Sequence, residues 1–387
     1  MSQDNPPAVL DVDEEQDDAR SEVGSSIASS STSLRNSLLD YRVENGRTYH
    51  RYKDGKYVVP NDDRELDRLD LQHQVWLLAL DDRLGVAPPC KEGAEVGRVL
   101  DVGTGTGIWA LNFGDEHPEA ERAPNVRFEI DDVEEEWTWS RPFDYIHSRV
   151  MTASIGDWEV YLRNCYDNLV PGGWVELQEL DLFATSDDGT LTEDHALSKW
   201  CKLLQGASEK LGRPYISPPP LKSLLSEIGF VDVSLSLYKW PSNPWAKDPK
   251  YRELGVLQCE NALSGVEGFT MASLTRAYDW TPEEVNVLLI DVRNDIKNRN
   301  IHAYWPTSSG SRFSSGRFTH SGSLLASCPG CRTTSVSGKD TGNGFYARSG
   351  CGPDSARSFG QKPSSDIALD YDNLRLRNFR CIAHSSG

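Results

Sequence analysis

The chain has no run of 18 apolar residues, which excludes a membrane-spanning helix. It also lacks a basic-then-apolar leader, because the amino terminus is acidic and serine-rich. Positive charge is in deficit: 40 Lys and Arg stand against 59 Asp and Glu, a formal net charge of −19. That balance argues against direct nucleic-acid binding through bulk charge and favours small molecules or proteins as partners. Cysteine is sparse. Eight residues (90, 165, 201, 259, 328, 331, 351 and 381) lack the dense even spacing of a secreted disulfide scaffold. Cys328 and Cys331 form a C-x-x-C without a second pair to complete a zinc site, so no metal is expected. These absences predict a soluble intracellular protein, in cytoplasm or nucleus, with no membrane contact.

The most informative stretch is residues 98–109. The β-rich run Val99, Leu100, Val102 gives way to glycines at 103, 105 and 107, then to helix-compatible Ile108, Trp109, Leu111 and Phe113. This is the pattern of strand, tight turn and helix. Glycine is demanded where the bend needs positive φ and where a side chain would hold a ligand off the main chain. A dinucleotide fingerprint G-x-G-x-x-G requires glycine at 108, where Ile108 stands, so that reading fails.

Around this stretch the chain divides into three. Residues 1–40 carry nine acids against Arg20 and Arg35 and are serine-rich, a composition that predicts disorder. Residues 41–306 read as one domain. Residues 307–387 hold ten Lys and Arg, five Asp and no Glu among many Ser and Gly, and read as a low-complexity, disordered tail. Inside the domain, Tyr41 to Tyr57 interleaves aromatics with bases around Asn45-Gly46 and Asp54-Gly55. A small hairpin packed on the core is favoured over a nucleobase-stacking surface. Residues 62–84 form an amphipathic helix whose His73 serves packing or, alternatively, catalysis. Helices are further expected over 157–170, 191–211 and up to Ile228, with Gly229 as cap. Thr281-Pro-Glu-Glu284 is a capping box opening a helix to about Asn298. Strands are expected at 126–130, 143–147, 174–180, 231–238 and 301–305. The Trp240, Trp245 and Tyr251 cluster, with the segment to Ala277, either packs or walls an aromatic pocket.

One element is missing. In a doubly wound nucleotide fold the first helix leads to a second strand, whose terminal acid about 20 residues beyond the glycines binds ribose hydroxyls. Here only eight residues, 118–125, separate the helix from the strand at Val126, too few for a strand, a helix and their turns.

The pattern Asp101-x-Gly103-x-Gly105-x-Gly107 resembles the first motif of class I S-adenosylmethionine-dependent methyltransferases. With Phe128–Val133, Tyr145–Arg149 and Leu169–Glu176, the order of elements from Tyr41 to Trp305 is similar to the fungal LaeA-like branch, linked to regulation of secondary metabolism. The resemblance implies an α/β, Rossmann-like fold: a central mostly parallel sheet flanked by helices, with one βα unit deleted. It implies S-adenosylmethionine as cofactor, with Asp101, Gly103, Thr104, Gly105 and Gly107 at the bend and Asp131, Asp132 and Val133 beside the adenine. An alternative moves Val126–Ile130 into the vacated slot beside the first strand, where Asp131 would bind the ribose. His147, at the strand end where amino-methylating enzymes carry a different motif, is the one candidate base; otherwise it is a strand-end histidine satisfied by backbone. The expected function is methyl transfer to a small-molecule or protein acceptor. The competing expectation is a catalytically impaired regulatory subunit that binds a protein partner.

Overall fold

The computed structural model describes residues 41–51, 57–117, 126–314 and 379–384, all within one compact unit. The expected disorder of residues 1–40, the turn at Asp54-Gly55 and the pair Cys328 and Cys331 lie outside them. Among the described residues no helix is long and apolar enough to cross a membrane, and no group of three His, Cys, Asp or Glu is placed to hold a metal.

The domain opens with a hairpin, β1 (Tyr41–Glu44) and β2 (Arg47–His50), paired antiparallel around Asn45 and Gly46, whose φ values of 50° and 76° are those of a tight primed turn. Its aromatics and bases serve packing. Tyr49 is fully buried with the Arg276 guanidinium 5.1 Å from its ring, and Arg47 pairs with Asp62. Asp62 also caps α1 (Asp63–Ala79) by accepting from the Glu65 amide.

After β3 (Arg98–Val102) and α2 (Ile108–Glu116) come β4 (Val126–Ile130), β5 (Phe143–Arg149), α3 (Trp158–Asp167) and β6 (Leu169–Leu180). Then follow α4 (Ala196–Lys210), α5 (Pro218–Ile228), β7 (Phe230–Val231) and β8 (Ser236–Pro241). The long α6 (Pro249–Tyr278), α7 (Pro282–Lys297), β9 (Tyr304–Ser314) and β10 (Phe379–His384) complete the domain. The capping box at Thr281 forms as read, with both reciprocal hydrogen bonds present.

These strands make a mixed sheet in the order β4-β10-β3-β5-β6-β9-β7, with β8 paired to β9. The β3, β5 and β6 strands are parallel neighbours, while β9 and β10 run antiparallel to theirs. The expectation of a mostly parallel sheet therefore holds for strand direction in the centre but not for the pairing at either side.

Three expectations are corrected here. Val126–Ile130 does not move beside the first strand, because β10 occupies that slot, pairing Arg380 with Val102 on one side and with Glu129 on the other. The domain does not stop at 306. The Ser-rich run is polar in composition, yet Thr307, Ser308 and Ser309 are buried in β9, with Thr307 donating to the Tyr238 carbonyl and Ser309 to Glu176. The strand expected at 174–180 begins earlier, at Leu169, because Pro171-Gly172-Gly173 is part of β6, which bulges there against β5.

Helices cover both faces. One core joins α1, α4, α6 and α7 around Trp76, Trp200 and Trp240; a second packs α3 and α5 under β3, β5 and β6. Trp240 is fully buried, edge-to-face with Trp76 at 4.8 Å, so the packing alternative applies to it.

Candidate functional site

The glycine bend, α1, the carboxyl end of β5 with the following Val150–Ser154 segment, and the inner faces of α4 and α6 together enclose a cleft. Its position follows from the sheet. Ligands of open α/β folds sit beyond the carboxyl ends of parallel strands, and β3 and β5 end side by side here.

The bend has the predicted backbone: Gly103, Gly105 and Gly107 sit at φ 70°, 61° and 82°, and Gly107 is the N-cap of α2. Space is tight as well. A Cβ on Gly103 would lie 2.5 Å from Met151 Sδ, and one on Gly107 would lie 2.7 Å from the Phe128 ring. The loop is tied to α1 by Thr106 Oγ1, which donates to Asp70 Oδ1 at 2.6 Å. It is tied to the segment before β3 by Trp109 Nε1, which donates to the Leu84 carbonyl at 3.0 Å.

Asp101 and His147 stand side by side on β3 and β5, with His147 Nδ1 2.7 Å from Asp101 Oδ1. Because a carboxylate oxygen accepts, the proton of this contact sits on His147 Nδ1. His147 is fully buried and stacked on Trp109, with ring centroids 3.7 Å apart. Three buried atoms around the bend, Asp101 Oδ2, Thr104 Oγ1 and His147 Nε2, have no hydrogen-bond partner among the described residues. Unsatisfied buried polar atoms cost free energy, so their clustering at one loop marks a place built to meet polar groups.

Of the residues read from sequence, Asp101, Gly103, Thr104, Gly105 and His147 line this cleft, while Gly107 lies behind it at the helix cap. Asp131, Asp132 and Val133 do not line it. Asp132 is buried and accepts from the Glu134 amide, and Val133 packs into the core beneath β3. Trp245 and Tyr251 are absent from the cleft; Trp245 Nε1 donates to the Ala303 carbonyl.

His73 enters the cleft from α1 as a hydrogen-bonded, neutral ring. Burial and the neighbouring Arg149 push its pKa down to about 3. Since Arg149 Nη1 at 2.9 Å only donates, His73 Nδ1 accepts, and His73 Nε2 lies 3.0 Å from Asn112 Nδ2. Held as an acceptor for a cation, His73 is not arranged as a general base.

The far wall was not legible in the sequence. Leu180, Leu182, Trp200, Leu204, Val266 and Trp305 give it an apolar lining. On its α1 and α6 side runs a buried polar chain. Arg68 pairs with Glu65 at 2.8 Å and donates to Asn261 Oδ1 at 2.7 Å, and Asn261 Nδ2 donates to Gln258 Oε1 at 2.9 Å. The pair Glu65 and Arg68 neutralises itself, so this wall presents an uncharged carboxamide among hydrocarbon. The only signal in the sequence was Arg68 and Gln72 beside His73 on one helical face, which is also what a solvated stripe looks like.

A family model described as a methyltransferase domain matches residues 71–235. Methyltransferase pytC of Aspergillus terreus is 43% identical over 289 residues, covering 71% of this chain and 88% of that protein. The secondary metabolism regulator LAE1 of Cochliobolus heterostrophus is 36% identical over 279 residues, covering 68% of this chain and 91% of that protein. Among solved structures, a Haemonchus contortus N-methyltransferase in complex with S-adenosylhomocysteine is similar with a TM-score of 0.40 and 12% identity, over 76% of this chain and 75% of that one.

Proposed function

The chain belongs to the methyltransferase family that includes pytC and the LaeA-type regulators of secondary metabolism, and from that premise we propose that it methylates a small, largely apolar acceptor held in the cleft, using S-adenosylmethionine. The observation that carries this reading is one cleft with two unlike walls. A glycine bend bordered by unsatisfied polar atoms faces an apolar wall bearing one uncharged polar patch.

The residues at the bend fit the cofactor. Gly103 and Gly105 line the cleft with Met151 and Leu69 packed beside them, and Asp101 Oδ2 and Thr104 Oγ1 offer an acceptor and a hydroxyl at its floor. When bound, the cofactor supplies a methyl group on a sulfonium that is already a good leaving group, so the protein's task is alignment and exclusion of water. Trp200, Leu204, Val266 and Trp305 exclude water on the acceptor side. Asp101 orients the His147 ring through Nδ1, and burial behind the loop leaves Nε2 reachable only from the cleft floor. The wall's size and hydrocarbon character support a small molecule rather than a protein side chain as acceptor.

A second reading, a partner-binding subunit without turnover, is favoured by one observation. The slot beside β3 is filled by β10 running the opposite way, and no acid occurs between Asn373 and His384 to serve the ribose. Calorimetric titration of the full chain with S-adenosylmethionine and S-adenosylhomocysteine separates the two. Saturable heat at one site per chain is expected; no heat at millimolar ligand refutes the enzyme reading and leaves the second.

A further inference from the structure

Arg149 is the last residue of β5, and its side chain lines the cleft beside Asp101 and His73. Its three nitrogens are unequally used. Nε donates to Gln178 Oε1 at 2.7 Å and Nη1 to His73 Nδ1 at 2.9 Å, while the buried Nη2 has no partner among the described residues. Both partners are uncharged, since Gln178 is an amide and His73 is held neutral by its surroundings. Among the described residues Arg149 makes no ion pair, although the Asp101 and Glu176 carboxylates act on it from further off, in contrast to Arg68 with Glu65, Arg213 with Glu134 and Arg276 with Glu44. The Trp76 ring, 5.3 Å from the guanidinium carbon, supplies the nearest π face.

The fork is also held in place. Gln178 turns its oxygen to Arg149 because its amide nitrogen is committed to the Leu84 carbonyl and to Glu176 Oε1, at 2.9 and 3.0 Å. A buried cation that is oriented by neutral acceptors and keeps one donor unused is the arrangement by which proteins read an anionic oxygen. The acceptor wall cannot supply that anion, because Glu65 is already spent on Arg68.

We infer that Arg149 recognises an anionic oxygen of the molecule bound in the cleft. The inference rests on the methyltransferase reading and deepens it. Two sources carry the same chemistry: the carboxylate at the amino-acid end of the cofactor, or an acidic hydroxyl or carboxyl of the acceptor bound in its ionised form.

The test uses the full chain and its Arg149→Met and Arg149→Lys variants, with thermal unfolding to establish that each is folded. S-adenosylhomocysteine and 5′-methylthioadenosine, which lacks the amino-acid end, are titrated calorimetrically. In a second arm, protein saturated with S-adenosylhomocysteine is titrated with 4-nitrophenol and the phenolate band is read. If the cofactor is the source, Arg149→Met weakens S-adenosylhomocysteine roughly ten- to a hundredfold, as expected for a charge-assisted hydrogen bond, and leaves 5′-methylthioadenosine unchanged. Arg149→Lys, which keeps the charge but not the fork, falls between. If the acceptor is the source, the wild type binds 4-nitrophenol as phenolate below its solution pKa and Arg149→Met does not. Unchanged S-adenosylhomocysteine affinity in Arg149→Met, with the same nitrophenol spectrum in both proteins, overturns the inference. So does a wild type that binds the two nucleosides equally and shows no phenolate, a result that needs no variant. A wild type that binds neither nucleoside removes the methyltransferase reading, and this inference falls with it.

Discussion

Glu176 is fully buried in β6, and its carboxylate is the meeting point of four segments. Oε1 accepts from the Val86 amide at 2.9 Å, from Gln178 Nε2 at 3.0 Å and from Ser309 Oγ at 2.5 Å. Oε2 accepts from the Ala87 amide and from Tyr145 Oη, both at 2.9 Å. The side chain thus fastens the segment before β3 to β5, β6 and β9, which is why Gly85 must be glycine: a Cβ there would lie 2.6 Å from Oε2. Replacement by alanine leaves two backbone amides and a tyrosine hydroxyl buried without acceptors, at about 1–3 kcal/mol each. Partial relaxation and the alternative contact of Tyr145 with Cys90 Sγ at 3.4 Å reduce the total. The expected loss for Glu176→Ala is about 4–6 kcal/mol, a large share of a typical domain's stability. At about 2–4 °C per kcal/mol for a domain of this size, Tm falls by roughly 10–20 °C. Glu176→Gln keeps the volume and one acceptor oxygen but turns an NH2 toward donors, for a loss of about 1–3 kcal/mol. Urea and thermal unfolding followed by circular dichroism measure both. A Glu176→Ala protein within about 1 kcal/mol of wild type, or a glutamine variant worse than the alanine one, refutes the reasoning.

Burial pushes the Glu179 carboxyl up to about 8, against the opposing pull of the Met151 and Thr152 amides that it accepts from. A carboxyl raised on folding contributes stability that is complete below its unfolded value near 4.5 and is lost as pH rises through about 8, so wild type should weaken over that window by on the order of a few kcal/mol relative to Glu179→Gln. Parallel Tm-against-pH curves for the two proteins would contradict this. At the bend, Gly107→Ala should cost more than Gly105→Ala in thermal unfolding. Both sit at positive φ, but the new Cβ meets the Phe128 ring at 2.7 Å in the first case and only the Leu69 Cδ1 at 3.2 Å in the second. About 2–3 kcal/mol against about 1 is expected, and equal losses would show that φ alone decides. Ending the chain at Asn378 removes β10 and leaves β3 and β4 each with an open edge. Size-exclusion chromatography should then show self-association, and a monomer as stable as wild type would argue that β10 is dispensable.

What was legible in the sequence was local. Asn45-Gly46 specifies a primed turn whatever surrounds it, Thr281 and Glu284 satisfy each other, and three glycines after Val102 specify a bend that no distant residue alters. Non-local features were hidden. Arg149 closes a strand in any reading, and only the folded chain shows that its neighbours are an amide and a neutral histidine brought from β6 and α1. The apolar wall draws on α4, α6 and β9, which no periodicity links. Ser308 and Ser309 look like tail because polarity is read residue by residue, whereas their burial depends on a carboxylate 133 residues earlier taking the hydroxyl of Ser309.

The short connection at 118–125 was legible too, but not its consequence. All of β3 is buried, and buried backbone amides and carbonyls need partners on both sides. With no room for a second strand between α2 and β4, the partner must come from elsewhere, and β10 supplies it in antiparallel register from Arg380 opposite Val102 to His384 opposite Arg98. That solution satisfies the sheet but not the site. An inserted strand of opposite direction presents its beginning, not its end, at the carboxyl edge, and it pushes β4 one place outward, carrying Asp131 and Asp132 away from the cleft. The two strands that keep their usual adjacency are β3 and β5. On β3 and β5 stand Asp101, His147 and Arg149, each with one buried atom that has no partner among the described residues. The same strand replacement that displaces the acidic pair thus leaves Asp101, His147 and Arg149 together on one pair of parallel neighbours at the cleft.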